Sequence, residues 1–132
     1  MMGLAKVKLL ILLGIVIPAL LIILLAFFIG RYQSYDKRKL LDLNQIAQAL
    51  SVYYQENGFY PYADHGKPKG LDNYLEYWPT PPPRSGVCSK DQNTYSYSQK
   101  AAGEDYQVSF CLGYTQGSLL AGLHILTPKG IK

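Results

Sequence analysis

Residues 9–57 read LLILLGIVIPALLIILLAFFIGRYQSYDKRKLLDLNQIAQALSVYYQEN, and the change of character part-way through that stretch decides the fold. Its first 21 positions, residues 9–29, carry no charge and are nearly all Leu, Ile, Val, Ala and Phe. At a helical rise of about 1.5 Å per residue they span about 31 Å, the thickness of a bilayer's hydrocarbon core. The run is longer than the apolar stretch of a usual secretory signal, and no A-x-A-like cleavage site follows it, so residues 9–30 read as a retained transmembrane helix. Pro18 lies mid-span, where a helix lacks one donor and is expected to kink.

The second half of the stretch has a different period. Leu40, Leu43, Ile46, Ala47, Leu50 and Tyr53 or Tyr54 recur at i, i+3, i+4 and i+7, with Asp42, Asn44, Gln45, Gln48 and Ser51 between them. Residues 31–57 are therefore an amphipathic helix whose face Leu43, Ile46, Leu50 and Tyr54 is expected to pack on a sheet. No Gly, Pro or turn cluster separates it from the apolar run after Arg31. One helix of about 45–50 residues, some 70 Å long, is the expectation. Asn57 and Gly58 tolerate the left-handed backbone that ends helices and supply the stop.

Working outward, residues 1–8 form a short leader with Lys6 and Lys8, and Arg31, Lys37, Arg38 and Lys39 follow the span, partly offset by Asp36. The flanking charges Lys6, Lys8 and Arg31 bracket the membrane, but the basic count alone favours the wrong end for a cytoplasmic N-terminus. A long domain crosses largely regardless of such charges. Cysteine usage points outward instead, because Cys88 and Cys111 form an even pair in a small domain with a thin core, which suits an oxidising compartment. The alternative is two unrelated buried thiols. The net charge of +4 falls to +2 from Arg31 onward, which excludes the dense basic stripe of a nucleic-acid binder.

Residues 58–132 complete one small domain. Pro61, Pro68, Pro79 and the run Pro81 to Pro83 make residues 59–86 an irregular connector, within which Leu71, Tyr74, Leu75 and Trp78 share the face of an expected short helix over residues 71–78. After Cys88 the period becomes two. Tyr95 and Tyr97 alternate with polar neighbours, residues 100–105 form a turn, and Tyr106, Val108, Phe110 and Leu112 alternate again, which predicts a β-hairpin. A third strand is expected within residues 119–126. The fold class is α+β, a long N-terminal helix, half membrane span and half amphipathic, packed on a small antiparallel sheet.

Catalytic signals are poor. His65 and His124 lie in a Pro/Gly-rich loop and an expected strand, His124 pointing outward, and match no triad order. Two cysteines and two histidines at scattered spacing match no zinc site, and Asp72, Asp91 and Asn93 lack calcium-loop spacing, so neither metal nor cofactor is expected. Cys111 falls on the strand face opposite Phe110 and Leu112, with Cys88 in the loop leading to the hairpin. A bridge between them would be structural. Twelve tyrosines suit half-buried positions, ring packed and hydroxyl wet. Trp78 with Pro81, Pro82 and Pro83 offers an interaction surface, although a rigid spacer ordered against Tyr and Trp is the simpler reading.

The pattern Asp42-Leu43-Asn44-Gln45-Ile46, Ala49-Leu50, Tyr53-Tyr54 and Asn57-Gly58-Phe59-Tyr60-Pro61 resembles small proteins of the type IV pilin and type II secretion pseudopilin superfamily. The later pieces Tyr95-Ser96-Tyr97, residues 106–112, residues 121–124 and residues 127–131 extend the resemblance over roughly residues 35–131. It implies a long helix, half in a membrane or filament core, carrying a small antiparallel sheet. The family's processing motif is a Gly, an aromatic residue, Thr, Leu, any residue and Glu before the apolar run. Here Gly3 is followed by Leu4-Ala5-Lys6-Val7-Lys8, so Lys8 stands at the glutamate position. The expectation is a chain that is not cut by a prepilin peptidase and stays in the membrane.

These readings lead to a non-enzymatic pilin-like membrane protein, N-terminus cytoplasmic and C-terminal domain extracytoplasmic. It would be an accessory or structural subunit of a type IV pilus, DNA-uptake or type II secretion-like apparatus. Its expected partners are membrane lipid and other pilin-like subunits, met through the N-terminal helix. The rival is a membrane-tethered extracytoplasmic binding module that reuses the pilin fold.

Overall fold

A computed structural model describes residues 3–132, and the first two residues of the leader lie outside it. Helix α1 (Leu4–Asn57) runs for 54 residues and continues through Pro18. The chain divides into two units, one ending at Arg31 and the other running from Tyr32 to Lys132. In the first unit the apolar side chains are exposed on every face, as at Ile15, Ile22 and Phe27. By length and composition this is a helix able to cross a membrane.

In the second unit α1 buries one face. Leu43, Ile46 and Leu50 are fully buried and Ala49 nearly so, while Leu40, Ala47, Tyr53 and Tyr54 pack at the margin of the same core. The helix stops where expected, because Gly58 N–H donates to the Tyr54 carbonyl at 2.8 Å with Gly58 at φ +77°. Asn57 adds a side-chain bond from Nδ2 to the Tyr53 carbonyl at 2.9 Å.

Six strands follow. Strands β1 (Ala63–Asp64) and β2 (Lys67–Pro68) form a two-residue hairpin. Strands β3 (Ser96–Lys100), β4 (Asp105–Leu112), β5 (Gly122–Thr127) and β6 (Gly130–Ile131) form an antiparallel sheet in chain order. The register pairs Tyr97 with Val108, Val108 with Leu126 and Phe110 with His124. Side chains alternate across the strands, so Tyr97, Tyr106, Val108, Phe110, Leu112 and Leu126 meet the buried face of α1 in one core.

Three expectations need correction. Residues 71–78 are not a helix: Tyr74 and Leu75 N–H both donate to the Leu71 carbonyl, and the segment otherwise consists of turns and bends. Eight residues between Gly70 and Pro79 cannot repay helix nucleation. Packing fixes the chain instead, with Leu71 buried and Tyr74, Leu75 and Trp78 against the core. The connector is also less irregular than its prolines suggest, since it contains β1 and β2, and Tyr97 N–H donates to the Gly66 carbonyl at 2.8 Å to seat that hairpin beside β3. Finally, His124 does not point outward. It stacks on buried Phe110 with ring centroids 5.6 Å apart, and its neighbours Leu123 and Ile125 are the exposed pair. A strand that exposes two aliphatic residues and turns its imidazole inward reverses the usual polarity, and the register with β4 decides it.

Candidate functional site

Beyond the helix–sheet seam, two arrangements in the second unit bring polar chemistry together. The first joins α1 to the end of β4. Asp36 and Lys39 are both buried and lie 3.3 Å apart. The Asp36 carboxylate accepts hydrogen bonds from the Gly113 N–H at 3.1 Å and the Tyr114 N–H at 2.8 Å. Lys39 Nζ donates to the Cys111 carbonyl at 2.9 Å. Buried charges are tolerated only when paired and bonded in this way.

The same strand end is held from its other side. Cys88 and Cys111 are disulfide-bonded with Cα atoms 5.9 Å apart, so the alternative of two separate thiols does not apply. Val87 N–H donates to the Gly113 carbonyl at 3.1 Å. The loop crosses so close that a Cβ on Gly86 would sit 1.9 Å from the Gly113 oxygen, and one on Gly113 would sit 2.3 Å from the Ser85 oxygen. Glycine is required at both positions for backbone to pass against backbone.

Lys39 follows the apolar run in the sequence like the flanking charges, yet it belongs to the domain interior. A signal for this existed, because positions 36, 39, 43, 46 and 50 continue one helical stripe, and the buried pair is simply its charged N-terminal end. The flanking residues Lys6, Lys8 and Arg31 are exposed on α1.

The second arrangement is a groove of about 380 Å³. One wall is the tip of the β1–β2 hairpin at His65, Gly66 and Lys67, another is the segment from Trp78 to Pro81, and the third runs from Asn93 to Ser96. Of the proposed surface residues, Trp78 and Pro81 line the groove, whereas Pro82, which is buried, and Pro83, which is exposed, are not part of its lining. Trp78 is fixed twice, its Nε1–H donating to the Tyr95 carbonyl at 3.1 Å and its ring meeting Tyr97 edge-on at 6.4 Å. Asn93 is fixed as well, with Nδ2 donating to the Pro82 carbonyl at 2.9 Å. Its Oδ1 is shut off from water and has no partner.

No family model, curated protein or solved structure matches this chain. Residue chemistry therefore carries the argument.

Several tyrosines pack in two separate groups, one running from Tyr54 to Tyr97 and one around Tyr53. Tyr54 packs on Tyr60 at 4.6 Å, Tyr60 on Tyr106 at 4.7 Å, Tyr106 on Tyr97 at 6.2 Å, and Tyr53 on Tyr74 at 5.4 Å. Their hydroxyls find acceptors: Tyr97 donates to the Pro61 carbonyl in the interior at 2.6 Å, Tyr95 to Asp42 at 2.9 Å and Tyr74 to exposed Glu56. Burial raises the Tyr95 hydroxyl, reinforced by Asp42, and raises that of Tyr97. Burial, with Tyr60 and Asp105 nearby, pushes Tyr106 up to about 12. These groups stay neutral and structural at ordinary pH. Among the described residues, no cluster of three or more His, Cys, Asp or Glu side chains could hold a metal ion.

Proposed function

We propose that the chain is a non-enzymatic, pilin-like membrane protein, an accessory or structural subunit of a type IV pilus, DNA-uptake or type II secretion-like apparatus. Its N-terminus is cytoplasmic and its disulfide-bonded domain extracytoplasmic. The observation that carries this reading is the single helix α1, apolar and exposed in its first half and buried against an antiparallel sheet in its second. An anchor alone needs no such continuity, since a flexible linker would tether a domain equally well. A helix shared between two environments suits subunits that associate laterally through their apolar halves, where van der Waals packing joins helices in lipid.

The rival reading, a tethered binding module, is favoured by the groove beside Trp78. Photo-crosslinking separates the two. A photoreactive residue in place of exposed Ile22, in the protein's native cell, should yield adducts with other proteins bearing an apolar N-terminal helix. Adducts with lipid alone contradict the subunit reading and favour the tethered module.

A further inference from the structure

We propose that the groove between the β1–β2 hairpin, the Trp78 segment and residues 93–96 is a saccharide-binding site that seats one pyranose unit of a glycan chain. The inference does not depend on filament membership.

Trp78 is the only tryptophan of the chain and is half-buried, its indole N–H tied to the Tyr95 carbonyl and its ring packed at 75° to that of Tyr97. Its indole donor is thus already used, and what it presents to the groove is hydrocarbon. A rigid aromatic surface costs little entropy when a ligand stacks on it. The rest of the lining combines Pro79 and Pro81 with polar residues. Thr80, Asn93, Thr94 and Ser96 contribute small neutral polar groups, and Lys67 stands at the rim. An apolar plate facing small hydroxyl and amide groups fits a ligand with one C–H face and a fringe of hydroxyls, which is the chemistry of a pyranose ring. An aliphatic or aromatic ligand would leave those polar groups unpaired.

The second observation is Asn93 Oδ1. Locking Nδ2 to the Pro82 carbonyl prevents the amide from turning to find another partner, so its oxygen remains an acceptor without a donor. Such an atom is costly in a folded protein and calls for an explanation. A ligand hydroxyl entering between Trp78 and Asn93, with a small movement of the wall, supplies the missing donor. The volume of about 380 Å³ lies within the range of small-ligand sites.

The test uses the full chain in detergent micelles, with Trp78 as its own reporter. Cellotetraose and tetra-N-acetylchitotetraose are titrated while tryptophan emission is followed. A saturable shift with at least one of them is expected. Asn93→Ala and, separately, Thr94→Ala should weaken it roughly three- to tenfold, the loss of one hydrogen bond each. Tyr77→Ala, an exposed change outside the groove, should leave it unaltered. Thr94 is exposed and keeps the test valid if Asn93→Ala fails to fold. No saturable response to either oligosaccharide, or an unchanged affinity in both groove variants, overturns the proposal.

Discussion

Asp36 and Lys39 show most clearly how a single side chain can be misplaced by a sequence and fixed by its partners. Composition puts both among polar residues just after the apolar run, and only the strand end that arrives from more than seventy positions away explains their burial. The two are not equivalent. Removing Asp36 strands Lys39 without its counter-charge and leaves the Gly113 and Tyr114 N–H groups without acceptors, whereas removing Lys39 leaves a carboxylate still held by two donors. Asp36→Ala is expected to destabilise the domain by about 3–5 kcal/mol and Lys39→Met by under about 2 kcal/mol. Urea denaturation of the two variants checks the order. The tyrosines give a second residue-scale expectation. Tyr106 titrates at about 12 in the folded chain against 10.0 in an exposed one, and Tyr95 and Tyr97 shift in the same direction. Above pH 10 the unfolded chain therefore loses these protons first, and stability falls as pH rises from there towards 12. Below pH 10 the three groups contribute no slope. Circular dichroism at stepped alkaline pH, alongside tyrosinate absorbance, should show unfolding and ionisation together.

At the scale of elements, long periodic segments were legible and short ones were not. The stripe Leu43, Ile46 and Leu50 and the alternation Tyr106, Val108, Phe110 each repeat often enough to identify their element and its buried face. The segment 71–78 had the apolar spacing of a helix but too few residues to nucleate one, so its side chains reach the core while its backbone does not form the helix. Strands β1, β2 and β6 have two residues each, below any period a sequence can display, and pairing partners define them. The groove falls into the same class. Its walls come from three separate segments, and Trp78 was visible as a surface candidate while Asn93, Lys67 and Ser96 were not. The disulfide was legible from the even cysteine pair together with the expected hairpin, which puts Cys111 beside the loop that carries Cys88, and it closes a loop with a sequence separation of 23. The chain-entropy relation gives that closure about 3–4 kcal/mol. Mass spectrometry of unreduced digests should find the Cys88 and Cys111 peptides linked, and reduction should lower the denaturation midpoint. Two free thiols after trapping would remove the argument for an oxidising compartment.

For the whole molecule, the sequence contains two surfaces suited to two solvents, and both were readable because each occupies an uninterrupted run. The apolar side chains of the first unit have no protein to cover them, and a bilayer or neighbouring apolar helices would satisfy all faces at once. The second unit buries its own core and ties its strand end with a disulfide and an ion pair. What the sequence left open was which side of the membrane receives that domain, because Lys and Arg lie at both ends of the span. The central claim is a membrane-anchored protein with its domain outside the cytoplasm, and protease accessibility tests it most directly. Intact spheroplasts and inside-out vesicles carrying the full chain are treated with protease, and the surviving fragment is sized. The account predicts cleavage of residues after Arg31 in spheroplasts, leaving a membrane-embedded N-terminal fragment, and protection of the domain in inside-out vesicles. Protection in spheroplasts with digestion in inside-out vesicles, or release of the whole chain by an alkaline carbonate wash, would contradict it.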